Sequence, residues 1–232
     1  MKVCCIGDIH GTDKFLQCYE EIIKNDNDCG KIIVFGDHFD PYEDISITTM
    51  ITRYNKFIET CHKDNRIISL LGNHDLSYYV LHTDKTNRTS TWNANMIRDE
   101  IYPNLEDSYL CYIIGDWIFS HAGVSKTWFN DLDEHIQNKL MNNQKGWTPN
   151  ELKITRFYEH DVSGCGDDEN QSCTWIRPYS LIDCPLGEYN QVVAHTRVHK
   201  FEKIKMKNDK DLWLVDNDRK PSYLTLEIEN GK

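Results

Sequence analysis

Short apolar runs that end in glycine dominate the first third of the chain. The clearest run occupies residues 32–35, is rich in isoleucine and valine, and is followed by Gly36 and Asp37. Such runs are typical of strands buried on both faces. Amphipathic segments separate the runs, so the pattern predicts alternating strands and helices in a mostly parallel sheet. We expect strands at residues 2–6, 31–35 and 67–71, with helices at residues 13–25 and 45–61.

The pattern changes in the middle of the chain. Residues 77–107 are polar and aromatic without a clean period, so we expect helical or irregular cover there. Residues 163–170 are predicted to form a loop. Further predicted elements are a hairpin at 110–114 and 117–120, a helix at 128–140, and strands at 189–194, 211–216 and 223–228, the last two joined by a turn at 217–221. Because strands precede and follow the helical middle, we predict an α/β fold of two mixed sheets packed as a central sandwich and flanked by helices. A single domain over residues 1–232 is expected.

Composition and charge narrow the class of partner. The chain has 232 residues, 39% of them apolar, and a net charge of −11. This charge disfavours nonspecific nucleic-acid binding through a basic surface. No apolar run approaches the stretch of about 18 residues that spans a bilayer, and we recognise no leader before the first strand. The odd number of cysteines, nine, indicates reduced thiols. We therefore expect a cytoplasmic protein, or one of the host cytoplasm if it is virally encoded.

Polar side chains with metal-binding chemistry follow the predicted strands. Six stand at strand ends: Asp8, His10, Asp37, Asn73, His121 and His195. Imidazole and carboxylate suit first-row divalent ions such as Mn, Fe, Zn or Ni. Six ligands exceed what one tetrahedral ion takes, whereas two ions about 3.5–4 Å apart that share a carboxylate would use them all. Such a pair holds a hydroxide and a phosphoryl oxygen for in-line displacement.

Three further residues suit phosphoryl chemistry. His74 adjoins Asn73, which places it near the ions without having to bind one, so it can protonate a departing alkoxide. Asp40 is the candidate carboxylate that fixes the tautomer of His74. Arg177 could make a bidentate contact with a phosphate.

At this point a family resemblance emerges. Five motifs resemble, in order, those of the calcineurin-like metallophosphoesterases: Gly7-Asp8-Ile9-His10-Gly11, Gly36-Asp37-His38-Phe39-Asp40, Gly72-Asn73-His74-Asp75, Ser120-His121-Ala122-Gly123 and Ala194-His195-Thr196. The first motif and the single late histidine resemble the serine/threonine phosphoprotein phosphatase branch. By its length the chain is similar to the compact bacterial and bacteriophage lambda members of that branch. The motifs extend from residue 7 to residue 196.

The resemblance implies a four-layer architecture around two divalent metal ions, expected to be Mn²⁺ with Fe, Zn or Ni as alternatives. It implies that Asp8 and His10 hold the first ion and that Asp37 bridges the two. The second ion would be held by Asn73, His121 and His195.

The implied reaction is hydrolysis of a phosphorylated protein or a small phosphoester by attack of a metal-bridging hydroxide. His74, Asp40 and Arg177 would be the catalytic residues. Arg177 and Asn73 would also contact the substrate. By this resemblance the chain is expected to be a serine/threonine protein phosphatase.

The resemblance is incomplete at two places. Pro41 stands where family members carry a phosphate-binding arginine, and residues 215–218 match the family's Val-Asp-Thr-Gly only in its first half. Two alternatives on the same metal site therefore stay open: a diadenosine tetraphosphate hydrolase, and a phosphodiesterase acting on nucleotides or RNA. A binding scaffold without activity is disfavoured by the complete ligand set and by His74.

The remaining histidines and cysteines are interpreted as residues without a metal-binding role. We expect four histidines to be solvated surface residues: His38, His62, His82 and His135. His199 is left out of the ligand set because its segment is interpreted as a loop. Three cysteines and a histidine could form a small zinc site, but their irregular spacing favours ordinary loop cysteines: Cys165, Cys173, Cys184 and His160. The acidic run at 167–169 is interpreted as a solvated loop.

Overall fold

The computed structural model describes residues 1–79, 91–157, 166–217 and 221–229. The strands in these ranges are β1 Lys2–Ile6, β2 Lys31–Val34, β3 Ile67–Ser69, β4 Cys111–Ile114, β5 Trp117–Ser120, β6 Asn190–Val193, β7 Glu202–Lys205, β8 Asp211–Leu214 and β9 Leu224–Glu227. The helices are α1 Lys14–Asn25, α2 Ile47–Lys63, α3 Asn73–Tyr79, α4 Thr91–Ile101, α5 Lys126–Asn130, α6 Glu134–Met141 and α7 Pro178–Asp183. Short 3₁₀ turns occupy Tyr102–Asp107 and Glu151–Thr155.

The strands form two sheets, and both are mixed. The first has the order β3-β2-β1-β9, in which β1, β2 and β3 run parallel and β9 pairs antiparallel with β1. The second has the order β4-β5-β6-β8-β7, with a parallel centre of β5, β6 and β8 and an antiparallel strand at each edge. This arrangement confirms the predicted pair of mixed sheets.

The inner faces of the two sheets pack against each other. Successive side chains of a strand point to opposite faces, so β1 directs Val3 and Cys5 inward and Cys4 and Ile6 outward. One buried cluster joins the inner faces: Val3, Cys5, Ile33 and Phe35 of the first sheet with Phe119, Val192 and Val215 of the second. Fully buried side chains of this size each contribute about 1.5–3 kcal/mol through the hydrophobic effect.

Helices cover the outer faces. Phe15, Cys18 and Ile22 fall on one side of α1 and join Cys4 and Ile6 of β1 in a second buried cluster. On the other sheet, α7 places Leu181 against Val193 of β6 and Leu214 of β8. The result is a helix–sheet–sheet–helix arrangement, which confirms the four-layer expectation.

Several element boundaries differ from the sequence prediction. The helix predicted at residues 128–140 is divided into α5 and α6, which are separated by Asp131, Leu132 and Asp133. The last two predicted strands exist as β8 and β9, but they lie in different sheets. The hydrophobic pattern of a strand does not encode which of the two sheets the strand joins. Tertiary packing determines it.

Strand β7 was not predicted from the sequence. Its residues Glu202, Lys203 and Lys205 are exposed, because β7 forms the edge of the second sheet. Lys203 and Lys205 form ion pairs with Asp211 of β8 at 2.8 and 2.7 Å. A charged edge strand lacks the apolar alternation by which strands are recognised in sequences.

In the part of the chain that the structure describes, no helix has the length and apolarity needed to cross a membrane. The cysteines in those ranges are all free thiols. Cys4, Cys5, Cys18 and Cys111 are buried.

Candidate metal centre

Backbone hydrogen bonds connect the loop that follows β1 to the loop that follows β2. The N–H groups of Ile9, His10 and Gly11 donate to the carbonyl groups of Gly36, Asp37 and His38 at 3.3, 2.6 and 2.8 Å. These bonds continue the parallel register of the two strands beyond their carboxyl ends. The acidic residues of both loops therefore meet at one edge of the first sheet, where α/β folds build ligand sites.

Two glycines allow the loop after β3 to join this pair. A Cβ atom on Gly36, whose φ is +89°, would lie 2.4 Å from the Gly72 nitrogen. A Cβ atom on Gly72 would lie 2.1 Å from Asp37 Oδ1. Only residues without a side chain permit this approach, so Asn73 and His74 come next to Asp37.

This contact yields a prediction for Gly72→Ala. The new methyl group would occupy the position of the Asp37 carboxylate and displace it, so we expect Mn²⁺ affinity to fall roughly 10–100-fold, as when groups that orient metal ligands are lost. Isothermal titration with Mn²⁺ measures the change. Gly30→Ala is the matched control, since its methyl group would meet the flexible end of the Met1 side chain. Equal Mn²⁺ affinity in the two variants would contradict the prediction.

Left-handed backbone conformations concentrate at this edge. Among the described non-glycine residues, six have positive φ, and four of these lie at the site: His10, Asp37, Asp40 and His195. Their φ angles are 46°, 49°, 58° and 55°. Each such conformation costs about 1–3 kcal/mol and persists where the surrounding structure fixes it. The packing of the two sheets therefore offsets the cost of these backbone conformations, which direct the four side chains toward one point.

The candidate ligands form two groups that share Asp37. Within each group, one potential ligand atom per residue lies within 4.8 Å of the others; the groups are Asp8, His10 and Asp37, and Asp37, His121 and His195. Asp37 Oδ2 lies 3.8 Å from His10 Nε2 and 3.5 Å from His121 Nε2, so the same oxygen faces both groups. Asn73 Oδ1 lies 2.9 Å from His121 Nε2. The structure thus brings together all six residues that the sequence singled out.

Backbone carbonyl groups set the orientation of two of the histidines. His121 Nδ1 lies 2.7 Å from the Phe35 carbonyl oxygen, and His10 Nδ1 lies 3.1 Å from that of Phe39. A carbonyl oxygen can only accept a hydrogen bond, so each Nδ1 carries the proton. The lone pair of each Nε2 then points toward the carboxylates of the ligand groups. His195 Nε2 is buried and has no hydrogen-bond partner among the described residues.

Electrostatics show that the side chains suit bound cations. Burial raises the pKa of Asp8 to about 6. Burial and the neighbouring charge of Asp8 hold the pKa of Asp37 well above its ordinary value. Burial lowers the pKa of His121 to about 4, and burial with the charge of Arg177 lowers that of His195 well below its ordinary value. Two cations would relieve the repulsion between the carboxylates and accept the lone pairs of the neutral imidazoles.

The predicted His74–Asp40 pair is present beside this centre. His74 Nδ1 lies 2.8 Å from Asp40 Oδ2, and the Asp40 side chain is fully buried. The backbone N–H of His74 donates to Asp37 Oδ1 at 2.9 Å. The backbone of His74 therefore adjoins the shared carboxylate of Asp37, while its ring is held by the carboxylate of Asp40.

The prediction that His38 is a solvated surface residue is wrong. His38 is buried, and its Nδ1 lies 3.2 Å from Asp75 Oδ2. Asp75 also accepts the backbone N–H groups of His38 at 2.7 Å and Gly72 at 3.0 Å. The pair ties the loop after β2 to the loop after β3. Asp75 belongs to a quoted motif, so its acidic side chain was visible in the sequence without an assigned role.

A buried lysine beside the first ligand group was also missed. Lys14 is 2% exposed, and its Nζ donates to the Asp8 carbonyl oxygen at 3.0 Å and lies 3.6 Å from Asp216 Oδ1. Burial, and next the charge of Asp8, raise the pKa of Asp216 to about 7. Lys14 occupies the apolar stripe of α1 with Cys18 and Ile22, a position where a charged residue indicates a buried partner.

Two arginines flank the loop that carries His195. Arg177 donates to the His195 carbonyl oxygen at 3.2 Å and to Thr196 Oγ1 at 3.1 Å. The guanidinium group of Arg197 lies 4.0 Å over the ring of Tyr42, and that ring packs edge-on against His10. Arg177 was predicted from the sequence and Arg197 was not, because nothing in the local pattern places residue 197 over residue 42.

His62, His135, Cys173 and Cys184 do not belong to the two ligand groups. His62 and His135 are exposed, as predicted. Cys173 is buried and directs its thiol to the Leu110 carbonyl oxygen, whereas Cys184 contacts Thr127. Neither cysteine takes part in a group of potential metal ligands among the described residues. The other positions named in these interpretations lie outside the described residues: His82, His160, Cys165 and Asp218.

The acidic run at 167–169 was interpreted as a solvated loop, but two of its carboxylates accept backbone hydrogen bonds. Asp167 accepts the backbone N–H of Ser180 at 2.9 Å, and Asp168 accepts that of Asn170 at 2.7 Å. Asp167 thereby attaches the loop to the first turn of α7, the helix that follows Arg177.

Comparisons with known proteins identify the family of this chain. A model of the calcineurin-like phosphoesterase family matches residues 1–196. The structure of a cold-active protein-tyrosine phosphatase of a psychrophilic Shewanella species is 19% identical, with a TM-score of 0.60 over 97% of this chain and 75% of that one. A point mutant of a cold-active protein tyrosine phosphatase is 18% identical, with a TM-score of 0.56 over 94% and 71%.

At these identities the two structures show a shared fold alone. A search of curated proteins by sequence found no match. The family match covers most of the chain and implies a dinuclear divalent metal site, and this structure gathers two groups of candidate ligands that share Asp37. The chain therefore belongs to the calcineurin-like phosphoesterase family and is a metal-dependent phosphoester hydrolase.

Proposed function

We propose that the protein is a phosphomonoesterase that removes phosphate from phosphorylated serine or threonine residues of proteins. The observation that supports this proposal most directly is the position of His74. Its Nδ1 is bound to Asp40 and its backbone to Asp37, so a proton donor stands next to the shared metal ligand. Serine and threonine leave as alkoxides, which are poor leaving groups and need such a proton.

Asp8, His10 and Asp37 would hold the first ion in this proposal. The second ion would be held by Asp37, Asn73, His121 and His195. When bound, two divalent cations supply a nucleophile at neutral pH and neutralise charge on the phosphoryl oxygens. We propose Mn²⁺ as the physiological ion, with Fe, Zn or Ni as alternatives.

The chain's own residues would perform the remaining tasks. Asp40 accepts the Nδ1–H of His74 and fixes the direction of the ring, and the doubly protonated ring can then give its Nε2 proton to the leaving oxygen. Arg177 and Asn73 would orient the phosphate. Arg197 adds a second guanidinium group at the mouth, on the side of His10 and Tyr42. Positive groups on both sides of the centre favour a dianionic monoester over a less charged diester.

A substrate panel tests the proposal. Purified protein with Mn²⁺ would be offered a phosphoserine peptide, a phosphotyrosine peptide, bis-p-nitrophenyl phosphate and diadenosine tetraphosphate. We expect the highest kcat/KM with the phosphoserine peptide, since proton donation by His74 benefits an alkoxide most. Faster hydrolysis of diadenosine tetraphosphate or of the diester would replace the proposal with a phosphoanhydride hydrolase or a phosphodiesterase. Preference for phosphotyrosine would assign the protein to tyrosine phosphatases.

A further inference from the structure

Asp40 receives hydrogen bonds from two side chains of the same helix. His74 Nδ1 binds Oδ2 of Asp40 at 2.8 Å, and the hydroxyl group of Tyr78 donates to Oδ1. Residues four apart on a helix lie on the same face, so both donors project from one face of α3. Asp40 is fully buried, and Tyr78 is 4% exposed. The Tyr78 contact is therefore buried and the His74 contact is partly buried, and hydrogen bonds shielded from solvent hold geometry most firmly.

We propose that Tyr78 is a positioning residue for proton donation by His74, an inference that rests on the proposed phosphomonoesterase function. A carboxylate held through one oxygen can rotate about its side-chain bonds. Asp40 is held through both oxygens, so its plane is fixed, and the ring of His74 takes its direction from that plane. Tyr78 acts through Asp40 and does not need to touch the substrate.

The alternative is that Tyr78 only fills space. Its ring lies 6.1 Å from that of Phe39 in a buried aromatic cluster that also contains Tyr54. A phenylalanine at position 78 would keep this packing and remove only the hydroxyl group. Tyr78→Phe therefore separates the hydrogen bond from the packing.

The chemistry makes the effect selective for the leaving group. During hydrolysis the bond between phosphorus and the ester oxygen breaks as an oxygen from water joins phosphorus. The doubly protonated ring of His74 gives its Nε2 proton to the departing oxygen and becomes neutral, while its Nδ1–H stays hydrogen-bonded to Asp40. An alkoxide depends on this proton, whereas p-nitrophenolate leaves readily without it. A misplaced His74 should thus slow only the first class of substrate.

The experiment compares Tyr78→Phe with wild type on a phosphoserine peptide and on p-nitrophenyl phosphate. We expect kcat for the phosphoserine peptide to fall about tenfold, a part of the 10²–10⁴-fold that general acid catalysis supplies. We expect kcat for p-nitrophenyl phosphate, and the Mn²⁺ affinity, to stay within about twofold. Tyr54→Phe is the matched control, because it removes a hydroxyl group from the same aromatic cluster without touching Asp40. It should leave both rates unchanged.

A spectroscopic measurement accompanies the kinetics. In Zn²⁺-loaded wild-type protein, the Nδ1 proton of His74 and the hydroxyl proton of Tyr78 should exchange slowly with solvent in proton NMR spectra. In Tyr78→Phe the Nδ1 proton should exchange faster. Rapid exchange of either proton in the wild type would overturn the inference, even if the variant failed to fold.

Two kinetic outcomes would also overturn it: an equal loss on both substrates, or no loss on either. If wild-type protein hydrolysed no phosphomonoester, the proposed function would fall. The exchange rates would then still decide whether Tyr78 positions His74, so the two failures are distinguishable.

Discussion

Replacing Asp37 with asparagine should eliminate the paired metal site and lower kcat/KM by at least about 10³-fold, a loss of several kcal/mol of transition-state stabilisation. Asp37 Oδ2 faces His10 and His121, one residue from each ligand group. An asparagine cannot supply a negatively charged oxygen to two cations. Isothermal titration with Mn²⁺ and kcat/KM for the phosphoserine peptide measure the two losses.

The same substitution has an opposite effect on the metal-free fold. Burial and the charge of Asp8 raise the pKa of Asp37, so the ionised carboxylate destabilises the folded chain at neutral pH. Asparagine removes that charge. The metal-free variant should therefore unfold at the same temperature as wild type or higher, as measured by differential scanning calorimetry.

Asp183→Asn serves as the control for Asp37→Asn. Its carboxylate is exposed and pairs only with Lys207 among the contacts that the structure describes. Mn²⁺ should stabilise wild type and this control by about 2.7 kcal/mol at a concentration of one hundred times Kd, and should not stabilise Asp37→Asn equally. An Asp37→Asn variant that binds two ions and retains activity would rule out the shared-carboxylate arrangement.

Replacing His74 with asparagine should reduce kcat for the phosphoserine peptide by roughly 10²–10⁴-fold. The ring of His74 lies beside the metal centre but is bound to Asp40, so its loss should leave Mn²⁺ affinity close to that of wild type. Parallel measurements of Mn²⁺ binding and of kcat on alkyl and aryl phosphates separate these effects.

The loss in His74→Asn should be much smaller for p-nitrophenyl phosphate, whose leaving group needs little protonation. His62→Asn is the matched control, because His62 is an exposed histidine on α2. A loss below tenfold on the phosphoserine peptide would mean that another group or water donates the proton.

The candidate ligands could be found in the sequence because each one follows a short apolar strand. Asp8, Asp37 and Asn73 each stand one residue after a glycine that closes such a strand or its short extension, and that local pattern survives folding unchanged. Parallel strands bring their carboxyl ends to one edge of a sheet. Strand pattern and residue type were therefore enough to predict the two mixed sheets and to single out the residues that form the candidate ligand groups.

The contacts around those ligands join residues that are far apart in the sequence, so no local sequence pattern predicts them. Lys14 meets Asp216 across the length of the chain, Arg197 covers Tyr42, and Tyr78 shares Asp40 with His74. Each contact requires the strand register and the packing of helices on the sheets to be set first.

The same holds for the burial of His38 and for the left-handed backbone at Asp37 and His195. A residue accepts a strained conformation, or a polar group a buried position, only when many surrounding contacts offset the cost. The chain's amino-acid order thus determined which chemical groups stand at the ends of the strands. The folded structure alone decided how those groups are aimed and which partners hold them, because register and packing join residues that are distant in the sequence.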